Sequence, residues 1–362
     1  MRSRVLLLAL VVAVLGAAPV RAAAVPKVPD GWIGVLADDP VFDARVDLAQ
    51  QFRAMRRAGV RTVRVPFYGA RTQPAEGGAL DLSTEDAVML AAARARLAVM
   101  PVVVTVPSWA RVTPAQLFSG PSRAKGLDWY TRFCTALVRR YGSTGSLWRE
   151  HPEVLPAPVR KWELWNEPEG VTFWYESTRS DDYVRLLRSA SPAIHAADPR
   201  AKVVLGGIVN GGDPLRFLYD QGTKDLFDEV AIHPFTYKVS NLLRLVRLAR
   251  DLMKERGDGR KPISLTEISW PTAYQRVPRG NAFGFEVTKR EQARRIRTAF
   301  RALARYRKRY GISNVIWASW LSRDTGSYSF NYAGLRHLGS RGRITNKPGY
   351  YAFRKVAREL NR

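Results

Sequence analysis

Eight short runs rich in β-branched and aromatic residues, each followed by a longer segment of helical pattern, leave this chain few folds to choose from. The runs are WIGVLA (32–37), TVRVPF (62–67), VMPVVVTV (99–106), KWELWN (161–166), KVVLGG (202–207), EVAIHP (229–234), ISLTEI (263–268) and NVIWASW (314–320). Helical patterns follow them over 43–58, 83–96, 126–141, 180–196, 213–227, 240–256, 287–309 and 347–360. The first pattern stops at Gly59, and the second opens with Ser83 and Asp86 at capping-box spacing. An uninterrupted strand–helix alternation gives a parallel sheet, and eight repeats in 362 residues close economically into an α/β fold, the (β/α)8 barrel of TIM type, as a single domain over 25–362. An open doubly wound sheet is the other solution. It more often carries a glycine fingerprint after its first strand, where this chain has ADDPVFD.

The segment before the first strand, MRSRVLLLALVVAVLGAAPVRAAAVP, has a basic start (Arg2, Arg4), an apolar stretch from Val5 to Ala18 and small residues at Ala22–Ala24. This pattern predicts an export signal over 1–24 and a secreted or cell-envelope protein. The apolar stretch is shorter than the roughly 20 residues of a bilayer-spanning helix, and no second one follows, so no transmembrane domain is expected after cleavage. The single cysteine, Cys134, allows no intramolecular disulfide and reads as buried and inert.

Lysine and arginine outnumber acids 58 to 32, a formal charge of +26. Such a balance suits an acidic partner, such as an anionic polysaccharide, a wall polymer, a membrane surface or nucleic acid. The charge is spread along amphipathic segments, however. In NLLRLVRLARDLMKER (241–256), Arg244, Arg247, Arg250 and Lys254 are placed on one helical face and Leu245, Leu248 and Leu252 on another. Solvated outer faces explain that pattern as well as a binding site does. With no nucleic-acid motif and no aromatic-basic stripe, no nucleic acid is expected as a partner.

In such a barrel the C-terminal ends of the strands carry the active site. Glu167 then lies just past the fourth strand, after Asn166 and before Pro168, and Glu267 at the end of the seventh. A glycosidic bond is cleaved by one carboxylic acid that protonates the leaving oxygen and a second carboxylate that attacks the sugar carbon or activates water. Glu267 is otherwise hard to account for, since a carboxylate within ISLTEI costs stability unless paired. No His-Glu-x-x-His, paired cysteines, phosphate loop or Gly-x-Ser-x-Gly elbow is present, so neither a metal nor a cofactor is expected.

The set WNEP, IHPF and LTEISWP, with NKPGYYAF in the last helix, resembles the clan A retaining glycoside hydrolases, most nearly families 39 and 5, across most of the chain after the signal. The resemblance implies Glu167 as acid/base, Glu267 as nucleophile and Asn166 as the partner of the sugar 2-hydroxyl. It implies that Arg64 keeps the nucleophile ionised, that His233 is the strand-six histidine, and that Trp320 is the aromatic floor beneath the sugar. Those families often show His-x-Tyr at strand six where this chain has Phe235, so the phenol orienting the nucleophile has to come from Tyr237 or be absent. Trp109, Trp174 and Trp270 are further candidate platforms, or core packing.

The expected function is therefore a glycosidase cleaving β-linked oligosaccharide or polysaccharide, with anionic glycans among the candidates, by double displacement. A secreted barrel that binds acidic polysaccharide without turnover is the alternative.

Overall fold

The computed structural model describes residues 26–121, 124–176 and 181–361, so the expected signal, 1–24, lies outside the described residues. The strands are β1 (Ile33–Leu36), β2 (Thr62–Tyr68), β3 (Ala98–Val104), β4 (Lys161–Leu164), β5 (Lys202–Leu205), β6 (Ile208–Val209), β7 (Val230–His233), β8 (Ile263–Ile268) and β9 (Ile312–Trp317). They form one parallel sheet in the order β5-β4-β3-β2-β1-β9-β8-β7-β6. Its two ends, β5 and β6, are consecutive pieces of one stretch, which closes the sheet into the barrel expected from the alternation. Three short strands, β10 (Leu321–Ser322), β11 (Arg336–Leu338) and β12 (Ile344–Asn346), make a small separate sheet in the long connection after β9.

The break between β5 and β6 falls at Gly206–Gly207, and both glycines are required by close approach. A Cβ on Gly206 would lie 2.5 Å from the Leu164 carbonyl oxygen, and one on Gly207, whose φ is +38°, 2.2 Å from His233 Nε2.

Ten helices are described: α1 (Leu48–Ala58), α2 (Gly69–Thr72), α3 (Ser83–Arg94), α4 (Lys125–Tyr141), α5 (Ser146–Glu150), α6 (Asp181–Ala197), α7 (Asp213–Asp220), α8 (Val239–Glu255), α9 (Lys289–Tyr310) and α10 (Pro348–Asn361). The main core is the apolar layer between sheet and helices. Gly59 ends α1 at φ +98°, as expected, but α1 begins at Leu48, where Asp47 accepts from the Gln50 N–H.

The capping box at Ser83 does not form. Ser83 is the first residue of α3 and its N–H goes to Asp81, while Asp86 is taken by Arg140 and Tyr141. In α8, Arg250 belongs to the inner face and Leu248 to the outer. Arg250 is buried because its guanidinium donates to the carbonyls of Tyr310, Gly259 and Lys261. Hydrogen-bonded partners outweigh a hydropathy pattern there. Cys134 is buried and free, and burial pushes its thiol well up, in keeping with an inert packing residue.

Registers fix what points into the barrel. Leu36, Arg64 and Met100 are level with one another across β1, β2 and β3, so all three share the interior. Met100 groups there with Val204 and Ala231, and Leu36 with Ile316 and Ala318. Towards the N-terminal end of the strands, Lys161 pairs with Glu229. Towards the other end stand Arg64 and the acids described next.

Candidate active site

Arg64 is the hub of this end of the barrel. It is 1% exposed, and its guanidinium donates through Nε and Nη2 to the two oxygens of Glu163 (2.6 and 2.9 Å), through Nη1 to Glu267 (2.7 Å) and through Nη2 also to Asn166 (2.7 Å). A guanidinium buried this deeply persists only with such pairing. Glu163, fully buried on β4, supplies the two-point contact that holds the fork in place.

Glu167 enters from the kinked exit of β4. Trp165 and Glu167 both have positive φ (70° and 43°), a strained conformation for residues with side chains. The kink is held by the Glu167 N–H on the Gly206 carbonyl (2.9 Å) and by the Trp165 indole on the Phe173 carbonyl (2.6 Å).

His233, the last residue of β7, brings Nδ1 to 2.6 Å from Glu167 and Nε2 to 3.0 Å from Thr266 Oγ1. Donor atoms of Glu167, His233 and Glu267 all lie within 4.8 Å of one another. One oxygen of each glutamate therefore lies no further from the other than the roughly 5–5.5 Å carboxyl spacing of retaining glycosidases and well short of the roughly 6.5–9.5 Å of inverting ones.

Such a trio could also hold a metal, but its donors are already engaged. Glu267 is ion-paired to Arg64, whose fixed positive charge would face the metal, and both His233 nitrogens have partners.

The environment separates the two carboxyls. Burial pushes Glu167 up to about 7, against the pull of Arg64 and with a further push from Glu163. Burial also raises Glu267, and the charges of Glu167 and Glu163 add to this, while those of His233 and Arg64 oppose it. Only Glu267 is in direct contact with Arg64, at 2.7 Å, so of the pair it ionises first.

Burial brings His233 down to about 4, leaving it neutral near pH 7 with one ring proton. When Glu167 is protonated, its O–H donates to Nδ1 and Nε2–H donates to Thr266. When Glu167 ionises, Nδ1–H donates to it and the Thr266 hydroxyl donates to Nε2. His233 therefore bonds to either state of Glu167.

The aromatic assignments are redistributed. Trp320 is fully buried, with its indole N–H on Gln51 Oε1 (3.1 Å), and is not part of the cavity wall. Trp270, 1% exposed, braces the loop after β7 through the Thr236 carbonyl (2.7 Å). Trp174 packs on Trp165 in the core. Trp109 donates to the Gln73 carbonyl and borders a groove with Glu76 and Lys125, away from the glutamates. Each of these indoles gains more from burial or a backbone acceptor than from facing a solvated opening.

Tyr237 does reach the cavity, with its ring beneath the Arg295 guanidinium (4.0 Å), but among the described hydrogen bonds it makes none to Glu267. A second phenol, Tyr328 in the long connection after β9, lines the same cavity as the glutamates. Burial first, then the charges of Glu167 and Glu267, raise it.

Sequence reasoning missed Glu163, Tyr328 and Asp38, whose carboxylate accepts from Tyr68 (3.1 Å) beside Arg64 and Asn166. A signal for Glu163 was present: it is a carboxylate between two tryptophans in an apolar strand, as anomalous as Glu267.

Above the glutamates opens a cavity of about 540 Å³. The fold that carries this cavity and carboxylate pair is a (β/α)8 barrel. Among solved structures, the chain is similar to a family 39 glycoside hydrolase from the gut symbiont Bacteroides cellulosilyticus WH2, with TM-score 0.67 and 20% identity over 92% of this chain and 65% of that one, so it spans just under two thirds of that protein. It is also similar to a monomeric beta-xylosidase from Caulobacter crescentus CB15 (TM-score 0.66, 17% identity, 92% and 69% covered) and to a GH5_18 protein from Bifidobacterium longum subsp. infantis (0.64, 17%, 91% and 78%). At these identities the likeness is one of fold. No family model matches the chain, and no curated protein matches it.

Proposed function

We propose that this protein is a retaining glycosidase that cleaves β-linked glycans by double displacement. The observation that carries this reading is the pair Glu167 and Glu267, within 4.8 Å at the strand ends, with Arg64 bonded to one and not the other. Glu267 attacks the anomeric carbon while Glu167 gives its proton to the departing oxygen, forming a glycosyl ester. Loss of the charge on Glu267 makes ionisation of Glu167 easier. Glu167 then takes a proton from water, which attacks the ester and frees Glu267. Asn166, fixed by Arg64, is oriented to meet the sugar beside the nucleophile.

The substrate we propose is an oligosaccharide or polysaccharide outside the cell or in its envelope, consistent with the export pattern of residues 1–24. Among the described residues, no helix is long and apolar enough to cross a membrane. Among the described residues, the cavity wall includes Asp38, Asp39 and both glutamates but no lysine or arginine.

The test is hydrolysis of a panel of defined β-oligosaccharides and envelope glycan extracts, with products read by mass spectrometry and the first-formed anomer by NMR. Retained β configuration is expected, and an inverted product or no turnover on any member overturns the reading. A pH profile checks the roles. Because Glu167 must be protonated to act as acid, kcat/KM falls as pH rises through about 7. At low pH it falls as Glu267 takes up a proton. In Glu167→Gln, assayed on an aryl glycoside with a good leaving group, the alkaline limb disappears.

A further inference from the structure

Three loops from distant parts of the chain bring a cluster of aromatic rings to one side of the cavity. Phe235 follows β7, Phe283 and Phe285 follow β8, and Tyr328 and Phe330 follow β9. Phe235 stacks on Phe285 (5.6 Å, 6° between planes), Phe283 stacks on Phe285 (5.7 Å), and Phe330 meets Phe235, Phe283 and Phe285 edge-on at 5.1–6.0 Å. Of these five side chains only Tyr328 has a polar atom. At the opening Phe283 is 52% exposed and Tyr328 44%. Rings held open to water in this way invite an apolar ligand.

The wall is held in place by Glu286. Its Oε1 accepts from the Phe283 N–H (2.7 Å) and the Ser329 hydroxyl (2.6 Å), and its Oε2 accepts from the Gly284 N–H (2.9 Å). One buried carboxylate thus ties the loop after β8 to the loop after β9. Although burial works against it, these bonds keep the Glu286 carboxyl below its usual range.

The polar side chains of the site gather around the nucleophile. A small recess of about 60 Å³ is lined by Asp38, Arg64, Tyr68, Asn166 and Glu267 among others, which suits the hydroxyls of the sugar beside the nucleophile. The aromatic side begins at the acid: His233, bonded to Glu167, packs against Phe235 at 5.6 Å. A general acid stands next to the leaving group, so the group expelled lies against the phenylalanines. A sugar there would lay only one apolar face on the rings and leave most of its hydroxyls without partners among them, whereas an alkyl or aryl group would bury its whole apolar surface.

Resting on the glycosidase reading for the side that the leaving group occupies, we infer that this wall is a leaving-group subsite for an apolar aglycone, alkyl or aryl, with Phe283, Phe330 and Tyr328 setting specificity and Glu286 positioning them.

The test is calorimetric binding of methyl and octyl β-glucosides and β-xylosides, the octyl compounds kept below their micelle concentration, together with cello- and xylo-oligosaccharides. Octyl glycosides are expected to bind on the order of 10²-fold more tightly than methyl glycosides, as burial of several methylenes requires. The ratio should collapse to a few-fold in Phe283→Ser, a half-exposed position whose change leaves the core filled. In Glu286→Gln it should fall part of the way, with KM for octyl substrates rising more than kcat changes. A flat ratio in the unaltered protein overturns the inference. So does a steep ratio that Phe283→Ser leaves intact, or loss of oligosaccharide binding in Phe283→Ser without loss of octyl binding, which would make the wall a sugar platform. Binding needs no turnover: a protein that prefers octyl glycosides and hydrolyses nothing loses the hydrolase reading and keeps the apolar subsite.

Discussion

Glu267→Ala is expected to lower turnover roughly 10⁴- to 10⁶-fold on a substrate found by the panel, the scale of loss when the nucleophile of a concerted set is removed. Adding azide should restore part of the rate. The alanine leaves a small space beside the anomeric carbon, azide attacks there in a single displacement, and the glycosyl azide has inverted configuration. Glu167→Ala gives the complementary result on an activated aryl glycoside. Glu267 still forms the ester, azide replaces water in the second step, and the product retains configuration. Swapped configurations would exchange the two roles. Near-normal rates in both variants would remove both glutamates from the chemistry and favour a binding protein.

Arg64→Met is expected to be the most damaging single change for the fold near the site. It leaves Glu163 fully buried without its two-point partner, and breaking a buried pair from one side costs about 3–5 kcal/mol. Activity falls as well, because Glu267 and Asn166 lose the guanidinium that orients them. Chemical denaturation separates the two effects. In Arg64→Met/Glu163→Leu the stranded charge is gone, so much of the stability should return while activity does not. If the double variant is no more stable than the single one, the Arg64–Glu163 pair is not what the site depends on for its stability.

The parts of the site visible in the sequence were those where chemistry conflicts with burial. Glu167 and Glu267 stand out because a carboxylate at the end of an apolar strand needs a reason, whereas Arg64 was picked out only by the family resemblance. Glu163 carries the same anomaly but was hidden by the neighbouring WNEP. The aromatic residues behaved differently. A tryptophan at a strand exit has no preferred destination in sequence, because it stabilises a core as well as a binding surface. Trp320 lies in the core, with Gln51 as its acceptor. Cavity rings came instead from loops whose phenylalanines, at 235, 283, 285 and 330, carry no pattern that distinguishes them from packing residues.

The sequence by itself determined the barrel, since strand and helix periodicities repeat eight times and each is a local property of neighbouring residues. It determined the two carboxylates too, because strand order and a shared C-terminal end bring them to one mouth. Only the tertiary structure decided which groups face them. The Glu286 tie joins loops more than forty residues apart, and the phenylalanine wall joins Phe235 to Phe330. Such contacts depend on loop paths, and loop paths are set by hydrogen bonds and packing that become available only once the barrel has closed.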